Sequence, residues 1–224
     1  MPLPRWKVSR WLGIGHEPCI RRRDNLKVMR TAYIGMGGNL ASWAGEPEAT
    51  LAAAALRLES LGRVASRSSL YLTEPVGFAE QPPFVNAVVA LATELTPREL
   101  LDGLLAIEQE FGRDRASGFA NGPRTLDLDI LLFGDLTFSE PGLDIPHPRL
   151  AERAFVLIPL NEIAPEVVVP GCGEPVAQLA VSQVSKARPF GKLRAGSGAP
   201  SSVEGSRGGA AAVVRLQSDT WDSR

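Results

Sequence analysis

The sequence predicts an α+β fold in the order strand, helix, strand, strand, helix, strand, with an antiparallel sheet and both helices on one of its faces. Three observations carry this. Residues 63–72 and 84–95 are apolar-rich stretches of strand period separated by a loop, so they can form an adjacent pair. Helical periods begin at Pro47 and Pro97, each after a strand. Residues 122–133, GPRTLDLDILLF, read as a last strand, with Asp127 and Asp129 on one face and Leu126, Leu128 and Ile130 on the other.

Taken in order, residues 30–36 read as a buried strand that ends in a tight turn at Gly37, Gly38, Asn39 and Leu40. GMGGNL lacks the third glycine of a dinucleotide fingerprint and the Gly-Lys-Ser/Thr ending of a P-loop, so its glycines are read as turn-formers. The helix from Pro47 runs to about residue 61, with Leu51, Ala55 and Leu58 on one face. Residues 63–72 make one half-buried strand, closed by Thr73, Glu74, Pro75, Val76 and Gly77. In the next strand Val85, Ala87, Val89 and Leu91 face one way, and Phe84, Asn86, Val88 and Ala90 the other. Asn86 amid apolar neighbours either bonds a local turn or offers a donor and acceptor to a planar heterocycle.

Thr96, Pro97 and Glu99 open a second helix, which runs to Phe111 with Leu100, Leu104, Ile107 and Phe111 on one face and stops at Gly112. A polar loop over residues 112–122 carries Arg113 and Arg115 to the aspartate strand. Residues 136–138 add a short strand, Ile145 to Arg149 make a proline-rich rigid turn around His147, and residues 152–160 are helical only briefly before Pro159. The architecture is a ferredoxin-like split βαβ sandwich with short C-terminal additions, its helix-free face left for substrate. That fold hosts RNA-binding and small-molecule modules alike, so side chains must decide the activity.

Residues 1–28 are basic and aperiodic and form an extension, with Met29 as an alternative start; Arg21, Arg22 and Arg23 are a nucleic-acid arm or, as short charge runs more often are, a solvated tail. Residues 29–181 form the domain. Residues 182–224, rich in Gly, Ala, Ser and Arg, read as a disordered tail. A net charge of −1 gives no bulk attraction to nucleic acid or anionic membrane. Cys19 and Cys172 have neither disulfide-framework nor zinc spacing, and no run matches a membrane span or secretory signal, so a cytoplasmic protein is expected.

Asp127 and Asp129 offer oxygen ligands of the kind a hard cation such as Mg²⁺ takes, and Arg124 offers a flat donor fork for phosphate. That combination points to phosphoryl chemistry. Five ordered blocks, AYIGMGGNL, YLTEPVG, QPPFVNAVVAL, GPRTLDLDILLFG and IPHPRLAERAFVLIPL, resemble the 6-hydroxymethyl-7,8-dihydropterin pyrophosphokinases over about residues 31–180. The resemblance implies transfer of diphosphate from ATP to a pterin alcohol in folate biosynthesis, with two Mg²⁺ ions on Asp127 and Asp129. It implies catalytic roles for Arg113 and Arg124, and ATP contacts from Glu108, Arg115, Ile130, His147 and Arg153. Asn86 would read the pterin edge between the rings of Phe84 and Phe155, while Thr73, Pro75 and Val76 complete that pocket.

Three positions depart from the family pattern: Asn121 replaces a tryptophan, Phe84 a tyrosine and Gly38 a serine seen in other members. The first bears on whether the loop at residues 116–121 supplies an aromatic lid. Neither extension is long enough for the fused folate-pathway enzymes that sometimes accompany the family, so a stand-alone enzyme is expected. Two other readings remain: a noncatalytic nucleotide- or RNA-binding module, disfavoured by the paired acids, and a kinase moving one phosphoryl group, which would release ADP instead of AMP.

Overall fold

The computed structural model describes residues 28–75, 77–78, 80–115, 121–184, 213–218 and 221. In chain order its elements are β1 (Arg30–Gly38), α1 (Pro47–Arg57), β2 (Arg63–Arg67), β3 (Leu70–Thr73), β4 (Phe84–Thr93), α2 (Pro97–Glu110), β5 (Asp127–Phe133), β6 (Phe138–Glu140), β7 (Leu143–Ile145), α3 (Ala154–Ile163), α4 (Val176–Val184) and β8 (Val213–Leu216). The main sheet runs β5-β1-β4-β3-β8, with β2 also paired to β4, and all its pairs are antiparallel. The sequence-predicted α+β sandwich is present, and β6 with β7 forms a separate hairpin.

Alternation along the strands sorts side chains between two cores. Ile34, Met36, Val85, Val89, Leu91, Leu128 and Ile130 meet Leu51, Leu58, Leu100, Leu104 and Phe111 beneath α1 and α2. The second helix is set by its ends: Thr96 accepts from the Glu99 amide while the Glu99 carboxylate takes the Thr96 amide, a reciprocal cap.

Five expectations change. The opposite face of the sheet is not wholly open: Val88, Leu131 and Leu132 pack against Val156, Leu157, Leu160 and Leu179 of α3 and α4, confining the free surface to one end. Pro159 lies inside α3, where burial of Val156, Leu157 and Leu160 offsets the one amide bond that proline removes. Residues 63–72 are two strands because Ser68 interrupts the ladder: its hydroxyl accepts from the Val88 amide at 2.9 Å. Gly37 and Gly38 belong to β1 and not to a turn. Finally, α4 continues to Val184 and residues 213–216 add β8 to the sheet edge, so a tail beginning at 182 does not describe these residues. VVRL is a β-branched run whose signal is diluted by the small-residue composition around it. The fate predicted for residues 1–27 and 185–212 lies outside the described residues.

Candidate active site

The open end of the sheet is a cavity with a glycine floor. Gly37 pairs with Asp127 on one side and Asn86 on the other, and Gly35 pairs with Asp129 and Val88. Directly paired residues face the same way, so two side-chain-free positions separate the acids from the amide. A Cβ on Gly37 would stand 2.8 Å from Asn86 Oδ1, and one on Gly38 would stand 2.3 Å from the Thr125 carbonyl oxygen. These glycines serve close approach rather than a turn. Gly38 lets the backbone at Arg124 come near enough for its carbonyl to accept from the Asn39 and Leu40 amides at 2.9 and 3.1 Å.

Asp127 lies between two guanidinium groups, with Arg113 Nη2 at 3.0 Å and Arg124 Nη1 at 2.7 Å. Among the described residues Asp129 has only a distant partner, Arg153 Nη1 at 3.8 Å. Burial, and then the Asp127 charge, raises the Asp129 pKa above the ordinary carboxylate value. Two acids share one face, one of them short of positive charge. Such a donor set fits a hard divalent cation completed by substrate oxygens. Arg113 Nε is buried and unpartnered among the described residues, leaving a donor for an anion.

Glu108 lies beneath this pair, 1 % exposed, accepting from the Leu128 amide at 2.8 Å and from Arg115 Nε and Nη2 at 2.9 and 2.5 Å. It locks the residue between the two aspartates and aims Arg115. Burial raises the Glu108 pKa, against the pull of its Leu128 and Arg115 hydrogen bonds. A register slip in β5 makes Leu131 an extra residue, and its carbonyl accepts from the His147 amide at 2.9 Å. The backbone of His147 is thereby tied to the aspartate strand. Burial lowers the His147 pKa while the Asp129 charge opposes the shift, and burial likewise lowers the Arg153 pKa.

At the other end of the floor, Asn86 Nδ2 donates to Thr73 Oγ1 at 2.7 Å, which fixes the amide and leaves Oδ1 as an acceptor. The Phe84 ring has Arg124 Cζ 5.3 Å from its centroid, and the Phe155 ring has Arg153 Cζ at 5.7 Å. Of the sequence-predicted residues, Asp127, Asp129, Arg124, Arg153, Thr73, Phe84, Asn86 and Phe155 line the cavity. Arg113, Arg115, Glu108 and His147 stand behind or beside it. Ile130 points into the main core, so only its backbone is near the site, and Pro75 is outside the lining. Val76 and residues 116–120 of the loop lie outside the described residues.

The sequence reading missed Asn39. Its side chain donates to the Pro82 carbonyl at 2.9 Å and to Gln81 at 3.1 Å while accepting from the Arg124 amide at 2.8 Å, joining both rims of the cavity. Gln81 in turn donates to the Asn121 carbonyl at 2.8 Å. An asparagine directly after a glycine pair is the signal that the sequence offers, and a turn accounts for it equally well. Glu74, which also lines the cavity, carried none.

The family model described as 7,8-dihydro-6-hydroxymethylpterin-pyrophosphokinase (HPPK) matches residues 33–165, more than half of the chain. The chain belongs to this family. A Pseudomonas aeruginosa relative, named 2-amino-4-hydroxy-6-hydroxymethyldihydropteridine pyrophosphokinase, is 46 % identical over 145 residues, covering 64 % of this chain and 86 % of the relative. A Bacillus subtilis protein of the same name is 44 % identical over 138 residues, covering 61 % and 79 %. Among solved structures, wild-type Plasmodium falciparum HPPK-DHPS superposes with a TM-score of 0.54 at 17 % identity, covering 71 % of this chain and 45 % of that one. This pyrophosphokinase chain thus spans less than half of that longer protein, and the likeness speaks for the fold. Among the described residues no helix is long and apolar enough to cross a membrane.

Proposed function

We propose that the protein transfers diphosphate from ATP to the hydroxymethyl group of 6-hydroxymethyl-7,8-dihydropterin and releases AMP. The observation that carries this reading is the glycine floor, which has an oriented amide on one side and two acids on the other, Asp127 flanked by Arg113 and Arg124, in a cavity that Phe84 and Phe155 also line. A flat, edge-polar acceptor suits the first end and a polyphosphate the second. Asn86 Oδ1 would accept from the heterocycle edge, and Phe84 and Phe155 would take its faces.

Asp127 and Asp129 would hold Mg²⁺, two ions in our reading, which neutralises phosphate oxygens when bound. Arg113 and Arg124, which flank Asp127, would grip the transferred group, and the buried Arg113 Nε, without a partner among the described residues, would serve as a further donor. Arg115 and Arg153 would form the cationic flank for the remaining phosphates and the nucleotide, with the imidazole of His147 beside Asp129 as a further nucleotide contact. Residues of this kind act by positioning and charge stabilisation, which suits the loose transition states of phosphoryl transfer.

Incubation with MgATP and the hydroxymethyl dihydropterin should yield AMP and pterin diphosphate in equal amounts. ADP as the nucleotide product would favour a single-phosphoryl kinase, and Mg²⁺-independent nucleotide binding without turnover a binding module.

A further inference from the structure

We infer that residues 213–218 and Trp221 are a positioning element for the acceptor side of the site, an inference that rests on the pterin reading above. Strand β3 is short and joins β4 through three residue pairs, Tyr71–Asn86, Leu72–Val85 and Thr73–Phe84. Its outer edge is taken by β8 along its whole length, from Leu70–Leu216 to Thr73–Val213. The final pair fixes Thr73, whose hydroxyl orients Asn86. An edge strand this short with one partner would be free to fray, and a second ladder suppresses that.

Beyond the strand, Trp221 closes the arrangement. It is 2 % exposed, its Nε1 donates to the Ser68 carbonyl at 2.6 Å, its own carbonyl accepts from Arg67 Nη2 at 3.0 Å, and Arg67 Cζ stands 4.8 Å from its ring. The segment thus seals the break between β2 and β3. It also reaches α3: Arg215 Nη2 lies 3.3 Å from Glu162 Oε1, and Glu162 accepts from the Ser69 amide and hydroxyl and from the Tyr71 hydroxyl at 2.8, 2.7 and 3.0 Å. Burial and the Glu162 hydrogen bond push the Tyr71 pKa up to about 12, so that phenol stays a donor at working pH. Strand β3 ends at Thr73 and α3 carries Phe155, so the segment ties together the two walls of the pterin pocket. The aspartate strand β5 is at the opposite edge of the sheet, with β1, β4 and β3 between it and β8.

The prediction is therefore lopsided. In the full chain, Trp221→Ala should raise the pterin KM by about tenfold and leave the ATP KM within about twofold, and Trp221→Phe should recover most of the loss. Pterin binding by calorimetry, with a non-hydrolysable ATP analogue present, should weaken by the same factor. An unchanged pterin KM overturns the inference, and so does a parallel rise in both KM values, which marks general loosening. Should Trp221→Ala fail to fold, Arg215→Ala decides: its side chain is 67 % exposed, folding should survive, and a pterin KM raised by about two- to threefold is expected, with no change overturning the inference. A parent protein that makes no AMP refutes the pterin reading itself, whereas an active parent with an unaffected variant refutes only the role of residues 213–218 and Trp221.

Discussion

Asp129→Asn should make the protein more stable and inactive at once. Asp127 and Asp129 are two residues apart on one face of β5, roughly 7 Å by strand geometry. At an effective dielectric constant near 20 their repulsion is about 2 kcal/mol. Two facts reduce it. Arg113 and Arg124 already flank Asp127, and the Asp129 side chain keeps 41 % of its area open to water. With that screening, a net relief of about 1 kcal/mol is reasonable, a rise in Tm of about 2–4 °C for a domain of this size. The sign follows from the raised pKa. A carboxyl raised above its unfolded value favours the folded state fully only below that value, near 3.8, and loses this advantage as pH rises through the folded pKa. Thermal melts in EDTA and low salt should separate the variant from its parent at pH 7 and bring them together near pH 3. With MgATP the order should reverse, because the parent gains binding energy that the variant lacks. AMP formation should fall by at least about 10²-fold. Equal melting temperatures at pH 7 in EDTA, or retained turnover, would refute the idea of an acid pair short of positive charge.

Gly37→Ala should raise the pterin KM by about tenfold and cost about 1–3 kcal/mol, because its Cβ would meet Asn86 Oδ1 at 2.8 Å and Asn86 is held by Thr73; steady-state kinetics and urea melts check both. Glu108→Gln should destabilise by about 2–3 kcal/mol and lower kcat more than it raises the ATP KM, since Arg115 loses its buried anchor; normal turnover would remove Glu108 from the account. In NMR titration of the apo protein, His147 should titrate below the ordinary value of 6.5. Its contribution to stability is then present above that value and lost as pH falls through the lowered folded pKa. A midpoint above 6.5 would mean that the Asp129 charge outweighs burial.

Much of the site was legible because its signals are local. In LDLDI the period of two alone puts Asp127 and Asp129 opposite Leu128 and Ile130, and Thr96, Pro97 and Glu99 specify a helix start whatever follows. The five blocks added the family and most of the cavity lining. Features that depend on approach between distant segments were not legible: the role of Gly37 and Gly38, the bridging by Asn39, and the burial of Glu108 beneath the acids. Pro159 and Ser68 show the converse, where tertiary packing keeps a helix going through a proline and one hydroxyl divides a continuous-looking strand.

What the sequence by itself determined is the order of elements, the strand that carries the acids, and the cationic and aromatic groups available to them, since periodicity and capping act within a few residues along the chain. What only the tertiary structure decided is which groups are paired and which are left to bind. Among the described residues Asp127 is flanked closely by Arg113 and Arg124 while Asp129 has Arg153 only at 3.8 Å, Glu108 supports the acid strand from beneath, and residues 213–216 together with Trp221 close the sheet edge that holds Thr73. Charge balance and edge pairing depend on distances through space, and residues far apart in the chain set those distances only when the sheet assembles.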